Sequence, residues 1–211
     1  MSAPVDSKVA RDKKATKERL VGAVGSLLAK GGFGALGVNA VAEEAGVDKV
    51  LIYRYFGDMD ELLKAFGRSG DFWPSIAEVI GDDPSELMQL PLAQRWSIGL
   101  SRYGDALRRR PVTKEILAWE QIEQNQLIQV LREAREEWFL ELLTHFPDDS
   151  DATDTDLVAT VLVIVGAIHY FVVLGRLQDD FSGIAIGADE GWQVIDTVIA
   201  TIFERTLRSS G

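Results

Sequence analysis

The feature that most constrains the fold is the spacing of small and apolar residues between positions 38 and 56. Val41 and Ala42 fall on one face of a short helix, and Gly46 follows four residues after Ala42. A sharp turn needs a positive φ, which glycine adopts without strain. Ile52 then returns an apolar side chain towards the core. Two short helices that cross steeply need this arrangement, so the spacing predicts a helix-turn-helix.

Helical periodicity continues through the rest of the chain. Apolar residues recur three and four positions apart, and alternating runs typical of β-strands are absent. The first helix carries an apolar stripe that includes Leu20 and Val24, and Gly31-Gly32 ends it. We predict an all-α fold with helices at about 15–30, 38–45, 49–55, 59–68, 72–80, 92–109, 112–145, 155–175 and 189–208.

The second helix of the motif turns unusual residues outward. Apolar and aromatic side chains on an exposed helix are unfavourable unless another molecule covers them. On a recognition helix, the first residues meet base edges in the major groove, and flanking aromatic and basic residues reach phosphates. The alternative is a helical hairpin with a glycine turn, which leaves this outward stretch, Lys49 to Phe56, without an explanation.

Charge is divided unevenly along the chain. The net charge of −11 comes from 22 basic and 33 acidic residues. Residues 1–70 hold 11 basic and 9 acidic residues, a balance of +2, which leaves −13 for the remainder. An acidic body repels DNA phosphates while a basic end approaches them, so the asymmetry is compatible with DNA binding.

Residues 15–66 resemble the DNA-binding domain of the TetR (tetracycline-repressor-like) family of transcriptional regulators. The resemblance rests on four stretches, Gly32-Phe33, Val38 to Lys49, Ile52 to Phe56, and Glu61-Leu62-Leu63. It implies a homodimer that binds a palindromic operator on double-stranded DNA, and a divergent body that binds a small-molecule effector. Repression released by that effector is the function it implies.

The resemblance also assigns roles to individual residues. It implies that Lys49, Val50 and Leu51 read bases and that Tyr53 and Tyr55 contact phosphates. It places Asn39 near base edges or phosphate, and we take Asn39 as a base-reading candidate. Arg54, a basic residue on the same outward face, is a further candidate for a phosphate contact. Lysine can read guanine, and an apolar side chain can contact a thymine methyl group. The chain departs from the usual pattern at Leu36-Gly37, Val50 and Met59, where the family more often has a hydroxyl residue, a glycine and a lysine.

The domain organisation follows from these expectations. We expect a basic flexible arm over 1–14, a three-helix helix-turn-helix domain over 15–57, and a helical effector-binding and dimerisation domain over 58–211. Arg11, Lys13 and Lys14 of the arm are candidate phosphate contacts. A merely solubilising basic tail is the open alternative.

The last two predicted helices carry more apolar residues than one chain can cover. Pairing helices 155–175 and 189–208 with the same two helices of a second copy would bury both. A monomer with one large core is the alternative. The run from Val158 to Gly175 is just long enough to raise the question of a membrane span, but a buried helix is the better interpretation because it contains His169 and Tyr170.

Aromatic residues are spread over the helices of the body. Most such residues belong to a core, but a few polar groups within an apolar cavity would mark a site for a largely apolar effector. The candidates, chosen because they sit mid-helix among apolar neighbours, are Tyr103, Trp119, Glu123 and His169.

Little in the sequence indicates an enzyme. There are no cysteines, the two histidines lack metal-ligand spacing, and no nucleotide-binding glycine loop is present. We therefore expect no catalytic residues, metal or cofactor, and no membrane partner. We expect a cytoplasmic protein, because the N-terminus lacks the apolar core of a secretory signal. The alternative function is a small-molecule-binding or protein-interaction dimer that does not bind an operator.

Overall fold

The computed structural model describes residues 5–69, 72–122, 126–147 and 155–209. Within these ranges the fold is all-α, as predicted, and a single bridge between Phe181 and Ile184 is the only β pairing. The helices are α1 (Val5–Gly31), α2 (Val38–Glu44), α3 (Val50–Phe56), α4 (Met59–Gly67), α5 (Ile76–Ile80), α6 (Ser85–Met88), α7 (Leu92–Arg108), α8 (Pro111–Trp119), α9 (Gln126–Thr144), α10 (Thr155–Leu174) and α11 (Asp189–Ser209).

Residues 5–14 of the predicted flexible arm form the start of a helix in the structure. Helix α1 begins at Val5 and runs without interruption to Gly31. Residues 5–21 contain neither glycine nor proline and are rich in Lys, Arg and Ala, which have high helix propensity. A pair four residues apart, Lys14 and Glu18, lies 3.9 Å apart on this helix. The remaining part of the predicted arm, residues 1–4, lies outside the described residues.

The single helix predicted over 112–145 is two helices. Helix α8 ends at Trp119, and α9 begins at Gln126. Immediately after α8, the Glu120 side chain is almost fully buried and lies 2.6 Å from the Arg135 guanidinium. The segment between the helices contains no glycine or proline, so the apolar periodicity does not indicate the break. The sequence pattern also does not predict the short helix α6, and α5 begins four residues later than expected.

The chain divides into two compact units that each use two separate segments. The first unit comprises Met1–Trp73 and Pro111–Glu136, and the second comprises Pro74–Arg110 and Glu137–Gly211. The predicted domain boundary at residue 58 therefore lies inside the first unit, which holds α4, α8 and part of α9 together with the helix-turn-helix.

The core of the first unit forms around α1. Leu20, Val24 and Leu28 of α1 are fully buried, as are Leu62 and Leu63 of α4. The carboxylate of Asp58 accepts the N–H of Glu61 at 2.8 Å, which caps α4. Helices α2, α4 and α8 all pack against α1. The long first helix thus supports α2 of the motif, while α3 packs against α4.

The core of the second unit forms around α7. Trp96 is stacked on Phe146, with ring centroids 4.3 Å apart, and also faces Phe203 of α11 at 6.3 Å. Helix α10 packs one face into this core through Ile164, Ile168 and neighbouring residues. By length and composition α10 could cross a membrane. Only 28% of its apolar stretch within Asp156–Leu174 is buried in the single chain. One chain alone therefore leaves much of α10 uncovered.

Candidate nucleic-acid interface

The turn between α2 and α3 has the geometry that the spacing predicts. Val41 and Ala42 of α2 are buried, and Gly46 adopts a φ of +62°. The N–H of Val47 donates to the carbonyl oxygen of Ala42 at 2.9 Å, which closes the turn. Ile52 of α3 has no exposed surface. Its burial contributes about 2 kcal/mol and sets the rotation of α3 about its axis.

With Ile52 facing inward, the opposite side of α3 is exposed. Val50 and Tyr53 keep 60% and 54% of their surface accessible, and Arg54 is exposed as well. Residues three and four apart share a face of a helix, so these three side chains form one surface. It combines an apolar group, a phenol and a guanidinium, which suits contact with thymine methyl groups and phosphates. Leu51 lies at the edge of this surface and is half-buried.

Two polar contacts define the start of α3. The carboxylate of Asp48 accepts the N–H of Val50 at 2.8 Å, as expected of a capping residue. The ammonium of Lys49 donates to the side-chain oxygen of Asn39 at 3.2 Å. Asn39 is the second residue of α2, and both side chains are exposed. The structure thus brings two predicted base-reading residues together. Sequence reasoning missed their contact, since they lie ten positions apart.

Two lysines of α1 face the end of α3. The Lys13 ammonium lies 5.6 Å from the centre of the Tyr55 ring, and the Lys17 ammonium lies 5.1 Å from that of Phe56. Both distances are typical of cation–π contacts. Tyr55 is half-buried, whereas Arg11, Lys13 and Lys14 are exposed. The predicted phosphate-contacting residues of the arm are therefore carried on a helix beside the motif.

The positions that depart from the family pattern also have defined places. Gly37 is the N-cap of α2, and no side chain caps that helix. Leu36 is half-buried ahead of it, and Met59 is the first residue of α4. Near the end of α2, the ammonium of Lys30 lies 2.8 Å from the carboxylate of Glu44 and offsets one of the acidic groups of this helix. The backbone start of α2 thus has no hydroxyl to offer to a phosphate.

The candidate effector residues separate between the two units. In the second unit, the Tyr103 hydroxyl and Nε2 of His169 are 2.6 Å apart, and the Trp138 ring stacks on Tyr103 at 5.6 Å. Tyr103 is buried and His169 is half-buried. Trp119 belongs to the first unit, where its ring packs on Gly32. Glu123 lies outside the described residues.

A buried ion pair of the first unit was not predicted. Burial raises the pKa of the Glu120 carboxyl above its usual value, and the guanidinium of Arg135 partly opposes that rise. The same guanidinium lies 5.2 Å from the centre of the Trp73 ring. These residues come from three separate segments, so no local spacing could have revealed the cluster.

Comparison with known proteins adds to this geometry. Residues 25–66 match the sequence profile of a family described as bacterial regulatory proteins, tetR family. No curated protein matches the sequence.

Solved structures share the fold at low sequence identity. A TetR-like transcriptional regulator from Rhodococcus sp. RHA1 is 17% identical, with a TM-score of 0.53 over 87% of this chain and 93% of that one. A HlyIIR variant carrying a linker with two thrombin sites is 14% identical, with a TM-score of 0.51 over 82% of this chain and 95% of its own.

Proposed function

We propose that the chain, whose residues 25–66 match the tetR family of bacterial regulatory proteins, is a repressor that a small-molecule effector releases from a palindromic operator. The observation that carries the proposal is the exposed face of α3. Val50 and Tyr53 are mostly accessible on a helix whose opposite residue, Ile52, is completely buried. Such a face meets base edges and phosphates when the helix enters a major groove.

The proposal assigns the contacts as follows. Lys49, just ahead of α3, and Val50 and Leu51 in its first turn read bases, with Asn39 beside them. Tyr53, Arg54 and Tyr55 contact phosphates, and the exposed basic residues of α1, Arg11, Lys13 and Lys14, add further phosphate contacts. This division is supported by the exposure of Lys49, Val50 and Arg54. Because the start of α2 lacks a hydroxyl side chain, these basic residues supply a larger share of the affinity.

We propose that the protein is a homodimer through α10 and α11. One face of α10 is exposed and apolar, and its larger members are Leu162, Val163 and Tyr170. Helix α11, which packs beside α10, exposes Val194, Val198 and Ile202 at intervals of four residues. Positions four apart lie on one face of a helix. Two neighbouring apolar stripes of this kind are explained if a second copy of the same pair covers them.

The effector site is proposed in the second unit, around Tyr103 and His169. Their hydrogen bond lies beside the Trp138 ring, so a polar pair is set among aromatic surface. A largely apolar compound with one polar group matches these surroundings. A regulator that acts in this way binds operator DNA in the cytoplasm.

Selection of bound duplexes from random DNA tests the regulator proposal. The expected result is a palindrome whose half-sites are spaced by about one helical turn, about 34 to 36 Å. Affinity for it should fall with increasing salt, because phosphate contacts release counterions. Enrichment of no sequence, or affinity that does not change with salt, would instead favour an interaction dimer without an operator.

The dimer proposal is tested by introducing a charge on the α11 stripe. Val198→Asp places a carboxylate at the centre of the stripe and should yield a monomer in sedimentation equilibrium. Gln193→Asp is the matched control, since Gln193 is exposed on the same helix but lies away from the stripe. Equal association of both variants, or a monomeric wild-type protein, would contradict this interface.

The effector proposal is tested by a thermal-shift screen of small apolar compounds that carry one polar group. A compound that stabilises the wild-type protein and releases the operator should lose its effect on His169→Ala. Thr160→Ala, on the same helix, is the control and should respond like the wild-type protein. An unchanged response of His169→Ala would move the site elsewhere.

A further inference from the structure

The hydrogen bond between Lys49 and Asn39 joins two elements of the helix-turn-helix. Its donor is the Lys49 ammonium, just ahead of α3, and its acceptor is the side-chain oxygen of Asn39 on α2, 3.2 Å away. Both side chains are exposed, next to Val50 on the outward face. The contact lies where the proposed function places the base edges.

The chemistry of the two groups determines what the pair can offer to DNA. A lysine ammonium has three donors and no acceptor, so Asn39 must turn its carbonyl oxygen towards it. The amide nitrogen of Asn39, with two donors, is then directed elsewhere. The ammonium retains two further donors. The pair therefore presents its donors to a partner, because the positive charge of Lys49 repels other donors from the remaining lone pair of the Asn39 oxygen.

This restriction matters because the bases differ in their major-groove edges. Guanine offers two acceptors, N7 and O6, whereas adenine offers the acceptor N7 beside an N6 donor. An asparagine reads adenine by accepting from N6 and donating to N7 at the same time. The ammonium of Lys49 beside the Asn39 oxygen repels the N6 donor of adenine and disfavours that paired contact.

We infer that Asn39 and Lys49 act as one donor-only reading unit, which selects guanine at the base facing Lys49 and an acceptor edge at the base facing Asn39. In this unit Asn39 is also a positioning residue, because its oxygen limits the directions available to the flexible lysine side chain. The inference rests on the proposed operator binding and specifies which bases the operator contains.

Base-preference profiles of operator binding by the full-length protein test the inference. Asn39→Ala should lower the preference for guanine facing Lys49 by about tenfold, within the range of one good base contact, although Lys49 itself is unchanged. Lys49→Ala should remove that preference and release the Asn39 oxygen, so that adenine becomes favoured at the base facing Asn39.

Asn39→Asp serves as the conservative control. Its carboxylate can still accept from Lys49 but has no donors. The guanine preference at the base facing Lys49 should therefore persist, while selection at the neighbouring base disappears and overall affinity falls through repulsion of phosphates. A loss of folding would change all positions alike and would appear in the thermal unfolding of the variant.

The outcomes of these experiments distinguish failure of the coupled reading unit from failure of the proposed operator binding. If Asn39→Ala leaves the guanine preference intact, the two residues read independently and the coupled unit is refuted, while operator binding stands. The same conclusion follows if Lys49→Ala creates no adenine preference. If the wild-type protein enriches no sequence, the proposed function fails, and this inference fails with it.

Discussion

Trp119 packs on Gly32, so the variant Gly32→Ala tests how much this contact contributes to the stability of the first unit. Gly32 has a φ of +63° and a ψ of −160°, a region that is essentially restricted to glycine. A Cβ atom built there would lie 2.7 Å from the Trp119 ring. Backbone strain costs about 1 to 3 kcal/mol, and overpacking costs about 1 to 3 kcal/mol more. The free energy of unfolding should therefore fall by about 2 to 6 kcal/mol.

Substitutions at two other glycines separate the cost of backbone strain from the cost of overpacking. Gly46 has a φ of +62°, but no atom lies within 4 Å of its would-be Cβ, so Gly46→Ala should cost only the strain of a left-handed residue, about 1 to 2 kcal/mol. Gly34 has open space and no positive φ. Gly34→Ala should leave stability unchanged within about 1 kcal/mol.

Urea denaturation followed by circular dichroism, together with hydrogen exchange of the α1 amides, measures the series. The exchange data report on the first unit even if the two units unfold separately. The expected order of destabilisation is Gly32→Ala, then Gly46→Ala, then Gly34→Ala. If Gly32→Ala is no more destabilised than Gly46→Ala, the Trp119 contact does not contribute as argued.

Three further predictions concern charged and polar groups. Because burial raises the pKa of Glu120 above 4.5, the folded chain binds that proton more tightly than the unfolded chain. The free energy of unfolding of the wild-type protein should therefore fall relative to that of Glu120→Gln as the pH rises from 4.5 through the raised pKa. Parallel curves of unfolding free energy against pH for the two proteins would refute this. Tyr103→Phe removes the hydroxyl beside His169 and should cost about 1 to 3 kcal/mol in urea denaturation, whereas unchanged stability would mean that the hydrogen bond is not formed in solution. Replacing Lys13 and Lys14 with glutamine should make the slope of log operator affinity against log salt concentration shallower by about 0.9 for each phosphate that is no longer neutralised, and an unchanged slope would exclude these two lysines from the interface.

The helix-turn-helix could be predicted because its determinants are local. Ala42, Gly46 and Ile52 act through a close contact, a backbone angle and the burial of one side chain, all within eleven residues. Each of these effects depends on residue type and spacing, which a sequence displays directly. The predicted helix boundaries around the motif differ from the structure by about one residue for the same reason.

The features that could not be predicted depend on contacts between distant segments. The break after α8 places Glu120 beside Arg135, fifteen positions away, and apolar periodicity carries no information about such a pair. The extended start of α1 has a different cause. Its polar residues have good helix propensity but no apolar stripe, so a search based on periodicity overlooks it.

The position of Trp119 shows that the compact unit of a residue, rather than its place along the chain, decides which residues it can contact. Its place in the sequence makes it a candidate wall of an effector site in the body, yet it belongs to the unit that carries the helix-turn-helix. Its ring fills the space that a side chain at position 32 would need, at the end of the helix on which α2 packs. Close-packed interiors transmit small displacements because few voids exist to absorb them. Any shift of α8 large enough to move this ring must therefore be accommodated at the end of α1, within the same unit as the proposed DNA-reading face.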